Sequence, residues 1–191
     1  HSVVRRQRQM CIRDSGEGLM EWVLRAYEYD PDLPYPAVLV LGPFMSQEKQ
    51  AEFLDRANRL DRVQAMTFDA RIENLMSKAA GMVSMGGYNT FCEILSFDKR
   101  ALIIPRTEPR LEQYIRAKRA EELGLISMLV DNGDHDPKEM AKSLRKLPGQ
   151  PRPSEILPTD ILGGLPQVNR LAKRWLRKSR DLRNIPVRQR A

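Results

Sequence analysis

The strongest constraint on this chain is a repeating pattern: a short apolar run, then an amphipathic stretch, roughly every 20 residues. The apolar runs are Ala37-Val38-Leu39-Val40-Leu41, Val63 to Phe68, Met82-Val83-Ser84-Met85, Ala101-Leu102-Ile103-Ile104 and Ile126 to Val130. Each has strand length and most end at a turn residue such as Gly42, Gly86 or Pro105, so each reads as a buried strand. Between them the apolar spacing turns helical. Leu19, Trp22, Val23 and Ala26 mark a helix over about 18–29. Ser46 caps the next, with Phe53, Leu54, Ala57 and Leu60 along one face. Ile72, Leu75, Met76 and Ala79 mark a short third helix, and a fourth covers about 89–97. A charged helix from Leu111 to Leu123 closes at Gly124, and Asp136 caps a helix opened by Pro137. Strands alternating with helices predict an α/β fold. It is a Rossmann-like parallel sheet with right-handed crossovers and helices on both faces. Ligands of such sheets bind at the carboxyl ends of the strands, which directs attention to loops 42–46, 68–71, 86–89 and 105–111.

Charge distribution narrows the partners. The net charge is +7, but residues 1–15 hold +3 and residues 170–191 hold +8, which leaves the body, 16–169, at −4. A nucleic-acid-binding domain carries its positive charge as a patch on the fold, so no nucleic-acid partner is expected. No run of 18 apolar residues occurs and no apolar segment follows the basic start, so a cytoplasmic chain without a spanning helix is expected. Cys11 and Cys92 have no zinc spacing, and both are expected as reduced thiols. His135, in the polar run Asp131-Asn132-Gly133-Asp134-His135-Asp136, reads as a solvated loop residue.

Residues 1–15 show neither helical nor strand period, and Arg5 to Ser15 resembles translated sequencing-adapter sequence. The segment is expected to be non-native or disordered, with the first strand of the domain missing and the natural chain beginning upstream of Gly16. The main α/β domain is then placed at 16–158. An amphipathic helix follows at 159–181, and a basic tail at 182–191.

The motif that carries chemistry is Ser84-Met85-Gly86-Gly87-Tyr88-Asn89-Thr90-Phe91-Cys92-Glu93. Two glycines leave a strand and enter a helix. Without Cβ they admit close approach to the backbone, and the free N–H groups of the first helical turn suit a phosphate. Asn89 and Thr90 lie on that turn. Glu93, one turn deeper, is placed to accept two hydrogen bonds from a ribose diol. Read alone, the same residues also fit a tight strand–helix turn with a carboxylate near the helix start. The next strand exits through Pro105-Arg106-Thr107-Glu108-Pro109-Arg110-Leu111-Glu112-Gln113. Arg106 and Arg110 are candidates for phosphate and Gln113 for sugar hydroxyls, or else solvated charges at a helix start.

Taken together, Gly87, Thr90 and Glu93, a strand ending in Ile104-Pro105, then Glu112-Gln113, Ala117 and Gly124, resemble the C-terminal domain of family 28, MurG-like glycosyltransferases. They also resemble a bacterial group of predicted glycosyltransferases with a Met-Gly-Gly-Tyr-Asn-Thr-Phe stretch. The resemblance covers nearly all of 16–180. It implies the C-terminal half of a GT-B fold that binds a nucleotide-sugar donor, expected to be UDP-linked, for hexosyl or N-acetylhexosaminyl transfer. By motif position Gly87 and Thr90 would lie at the diphosphate, Glu93 at the ribose, Gln113 at the donor sugar and the Phe68 loop near the base; the residue reading above adds Gly86, Asn89 and Arg106 as donor-binding candidates. The resemblance implies no metal cofactor and places the catalytic base in an N-terminal acceptor domain, so no catalytic residue is assigned here. Arg116 stands where the family often has Asn, and the glycine-rich loop before the first helix is reduced to Gly16-Glu17-Gly18.

Two other functions compete. A nucleotide-sugar epimerase of the same fold would need acid–base carboxylates and a histidine near the sugar. A non-catalytic fragment would only bind nucleotide. The last helix alternates Leu171, Trp175, Leu176 and Leu182 with Arg and Lys. It is expected either to pack back on the partner domain or to meet an anionic membrane surface.

Overall fold

The computed structural model describes residues 10–14, 16–67, 72–157 and 163–183, with side chains from 16–67, 72–157 and 163–177. The chain divides into two compact units, His1–Ile156 and Leu157–Ala191.

The first unit is the expected α/β fold. Six strands form one sheet: β1 (Met10–Asp14), β2 (Ala37–Leu41), β3 (Val63–Thr67), β4 (Gly81–Ser84), β5 (Arg100–Ile103) and β6 (Ser127–Met128). Every pairing is parallel, in the order β3-β2-β1-β4-β5-β6. The connecting helices are α1 (Glu17–Tyr29), α2 (Gln47–Asn58), α3 (Ile72–Lys78), α4 (Tyr88–Ser96), α5 (Glu112–Glu122) and α6 (Pro137–Lys146). A 3-10 turn, Leu147–Gly149, and the short α7 (Pro153–Ile156) complete the unit.

The expectation of a missing first strand is wrong. Met10–Asp14, within the segment set aside as foreign, fills the central slot and pairs β2 on one side and β4 on the other. The order of the sheet reverses there: chain progress runs from β1 to β2 and β3 one way, and from β4 to β6 the other. The crevice above the carboxyl ends of β1 and β4 is therefore the topological switch point. A second correction is the sixth strand. Of the apolar run Ile126 to Val130 only Ser127 and Met128 are strand, paired with Leu102 and Ile103, because β5 ends at Ile103.

Burial follows the apolar spacing. All five residues of β2 are buried, as a strand covered on both faces requires. Helix α1 buries Leu19, Met20, Trp22, Val23, Leu24, Ala26 and Tyr27, more than half its length. It packs along α6, which buries Met140, Ala141 and Leu144. Trp22 and Tyr27 keep their polar atoms satisfied. The Trp22 indole N–H donates to the Asp136 carbonyl at 2.7 Å, and the Tyr27 hydroxyl donates to the Tyr35 carbonyl at 2.6 Å. Burial pushes the Tyr27 pKa upward. The predicted caps are present: Ser46 accepts from the Lys49 N–H at 3.3 Å, and Asp136 from the Lys138 N–H at 3.0 Å. Arg145 of α6 holds the Asp30 carboxylate with both nitrogens at 2.8 and 2.7 Å, closing the end of α1.

The second unit contains α8 (Gly164–Arg183), whose Leu165, Val168, Leu171, Trp175 and Leu176 are all exposed.

Candidate functional site

The switch point is flanked by two helix starts that follow glycines. After β1, Gly16 caps α1 without a side-chain cap, and after β4, Gly87 caps α4 in the same way. The two loops abut: a side chain on Gly16 would lie 2.8 Å from the Met85 sulfur. They differ in charge. The first turn of α1 carries Glu17, whereas that of α4 carries no acidic residue. A hollow beside α1 and α2 is lined by Glu17, Glu21 and Glu52, with Lys49 ion-paired to Glu52 at 2.7 Å. That hollow is a poor host for an anion, so the positive end of α4 is the better one.

The two glycines of the α4 turn are there for different reasons. Gly86 has φ +71°, in the left-handed region, and a Cβ on it would stand 2.7 Å from Cγ2 of the buried Ile103. The fold itself requires a glycine at 86. Gly87 has φ −53° and ψ 151°, which any residue adopts, and a Cβ there would meet nothing within 4 Å. The fold does not require Gly87, and space stays open over the helix start.

Side chains hold both backbone groups of Gly86. Its N–H donates to the hydroxyl of the fully buried Ser84 at 3.2 Å. Its carbonyl accepts from Nη1 of Arg116 at 2.9 Å. The Arg116 guanidinium also lies 5.5 Å from the centre of the Tyr88 ring and is ion-paired to Glu112 one turn back. Ser84 and Arg116 were both visible in the sequence, but nothing local announced their contact with Gly86.

The expected site residues fall into two groups. Gly86, Gly87, Asn89, Thr90 and Glu93 share the β4–α4 turn and the first turns of α4. Asn89 is exposed, and Thr90 and Glu93 are partly buried. Gln113, at the start of α5, accepts the backbone N–H of Arg106 at 3.1 Å through Oε1, so the two are joined. The Arg106 side chain is exposed, as is that of Arg110. The Arg116–Gly86 bond ties this second group to the first. Phe68 lies outside the described residues.

His135 departs from its reading as a solvated loop residue. It is partly buried, with φ +48°, its Nε2 2.9 Å from Oδ2 of Asp131 and its ring 5.4 Å from that of Trp22. A side chain on Gly18 would come within 3.3 Å of its Cε1, so the 131–136 loop reaches back to the start of α1. The long sequence separation hid this contact. Cys92 is a free, partly buried thiol. Among the described residues no group of three His, Cys, Asp or Glu is placed to hold a metal ion, and no helix is long and apolar enough to cross a membrane.

Comparison with solved structures agrees with this architecture. The glycosyltransferase VinC, in complex with DTDP, superposes with a TM-score of 0.58 at 24% identity, over 78% of this chain and 34% of its own. CalG4, the calicheamicin glycosyltransferase, gives 0.57 at 16% identity, over 78% and 37%. UGT2 of Phytolacca americana, complexed with UDP-2fluoro-glucose and pterostilbene, gives 0.55 at 15% identity, over 75% and 35%. At these identities the likeness establishes the fold: that of the C-terminal domain of GT-B glycosyltransferases. The chain spans about a third of the length of the structures it matches. No curated protein sequence matches it. The profile of the glycosyltransferase family 28 C-terminal domain matches residues 22–154, more than half of the chain, and the protein therefore belongs to that family.

Proposed function

We propose that this chain is the donor-binding half of a MurG-like glycosyltransferase and holds a UDP-linked sugar over the start of α4. The observation that carries this reading is Gly87: a glycine that the backbone does not need, beneath open space, at an uncapped helix N-terminus on the switch point. In this reading the diphosphate sits against Gly86, Gly87, Asn89 and Thr90. Glu93 holds the ribose diol and Gln113 the donor sugar, with Arg106 at the rim and the Phe68 loop toward the base. The positive end of α4 stabilises the diphosphate as it leaves, so no metal ion is required. The acceptor and the base that deprotonates it belong to a separate domain, and the chain alone binds donor without turning it over.

Calorimetry on the full chain tests the site, with UDP, dTDP, GDP and CMP as ligands. UDP is expected to bind best. Glu93→Ala is expected to weaken UDP about 10- to 150-fold, the loss of about 1.5–3 kcal/mol from a carboxylate–diol contact. Binding of no nucleotide by a folded sample would sink the donor site, and unchanged affinity in Glu93→Ala would remove the ribose role.

We further infer that α8 lies on an anionic membrane surface. Its 20 residues carry seven Lys or Arg against Asp181 alone, while Leu165 and Trp175 are 74% and 75% exposed. A basic helix with an exposed apolar face binds in the headgroup region of acidic bilayers. Co-sedimentation with phosphatidylglycerol vesicles, absent with phosphatidylcholine and reversed by salt, is the expected result. Equal binding to both vesicle types, or to neither, would overturn it and leave the face to the partner domain.

A further inference from the structure

We propose that Arg116 is the positioning residue of the donor site, and that it works by locking the Gly86–Gly87 peptide plane. The inference rests on the donor reading above and adds a residue that this reading leaves without a role. A trans peptide is planar, with its C=O and N–H pointing in opposite directions. The carbonyl of Gly86 is held by Nη1 of Arg116 at 2.9 Å. The N–H of Gly87, in the same plane, therefore points away from α5. Two successive glycines rotate more freely than any other pair, and a flip of this plane would turn an oxygen where the N–H now points. An inward carbonyl repels a phosphate that an N–H attracts, so the flipped turn is a poor anion site.

The lock is built from three contacts. Ser84 holds the Gly86 N–H, which belongs to the preceding Met85–Gly86 peptide, at 3.2 Å and so fixes the plane next to the locked one. Arg116 holds the Gly86 carbonyl from the α5 side, and its guanidinium lies against the ring of Tyr88, the first residue of α4. The Arg116 side chain is only 18% exposed, whereas its partner Glu112 is 66% exposed. The arginine is thus enclosed by the fold and the carboxylate faces solvent. A bound diphosphate displaces Glu112 at little cost, because exposed i, i+4 pairs are weak. The positive charge of Arg116 is then added to that of the α4 terminus.

The role separates from simple structural support by ligand. Arg116→Met keeps an unbranched apolar side chain on α5 and removes every N–H together with the charge over Tyr88. Arg116→Lys keeps a charge and a donor for the Gly86 carbonyl. Calorimetry on the full chain with UDP and with uridine is the test, alongside thermal melts. Arg116→Met is expected to weaken UDP about tenfold, leave uridine within about twofold and melt like the wild type. Arg116→Lys is expected to recover most of the loss. Wild-type affinity for UDP in Arg116→Met overturns the proposal and leaves the donor site standing. An equal fall for UDP and uridine also overturns it, because the defect then lies in the whole fold and not at the diphosphate. Failure of the wild type to bind any nucleotide diphosphate overturns the donor reading and this inference with it.

Discussion

Gly86→Ala is expected to destabilise the domain by about 2–5 kcal/mol. A residue with Cβ in the left-handed region costs about 1–2 kcal/mol. Forcing a methyl group into a packed interior costs about 1–3 kcal/mol more. Both apply here, since φ is +71° and the added Cβ would stand 2.7 Å from Cγ2 of Ile103. Ile103 has no room to retreat: it is fully buried on β5, between β4 and β6. For a domain of this size the loss lowers the melting temperature by about 4–20 °C, readable by calorimetry or circular dichroism. Gly87→Ala is the matched control. Its backbone accepts alanine and its surroundings are open, so it should melt like the wild type. Its methyl group would instead stand where the diphosphate approaches, and UDP affinity should fall about tenfold. If Gly87→Ala melts low and Gly86→Ala does not, the division between a structural and a ligand-facing glycine is wrong.

Trp22→Ala should cost about 3–5 kcal/mol, the range for removing a large buried ring. Trp22, on α1, is fully buried, and its N–H is bonded to the carbonyl of Asp136 at the start of α6. Asp136 caps α6, and the neighbouring His135 ring leans on the indole. The substitution therefore removes core area and also releases the loop that returns from β6 to the start of α1. Trp22→Phe separates the two effects. It keeps an aromatic ring and loses the N–H, so the Asp136 carbonyl is left with the Met140 N–H at 3.4 Å, a loss of about 0.5–1.5 kcal/mol. Urea denaturation should rank wild type, Trp22→Phe and Trp22→Ala in falling order. A Trp22→Ala protein within 1 kcal/mol (an order-of-magnitude limit for a filled core site) of the wild type would show that α1 does not anchor this loop.

Much of the fold is legible because its signals are local. The runs 37–41 and 82–84 are strands because buried parallel strands need apolar side chains on both faces, whereas 63–67, at the sheet edge, buries only Val63. Ser46 and Asp136 are caps because their oxygens reach an N–H two or three residues away. Strand β1 carries no such signal. Met10-Cys11-Ile12-Arg13-Asp14 is a mixed run in a basic segment, and its strand state comes from backbone pairing to two neighbours that lie distant in sequence. The run 126–130 shows the reverse case: it is apolar, yet only Ile126 is buried and Val130 is exposed, and its pairing length depends on what lies alongside.

The same division runs through the candidate site. The amino-acid sequence by itself determined the parallel α/β architecture, the family and the glycine exit at 86–89. These depend on residue spacing along one strand, one turn and one helix. Only the tertiary structure decided that β1 completes the switch point, that Gly86 answers to Ile103 and Gly87 to open space, and that Arg116 grips the Gly86 carbonyl. It also drew His135 onto Trp22 at the start of α1. Each of these is a contact between segments far apart in the chain, and side-chain period and capping chemistry reach only a few residues.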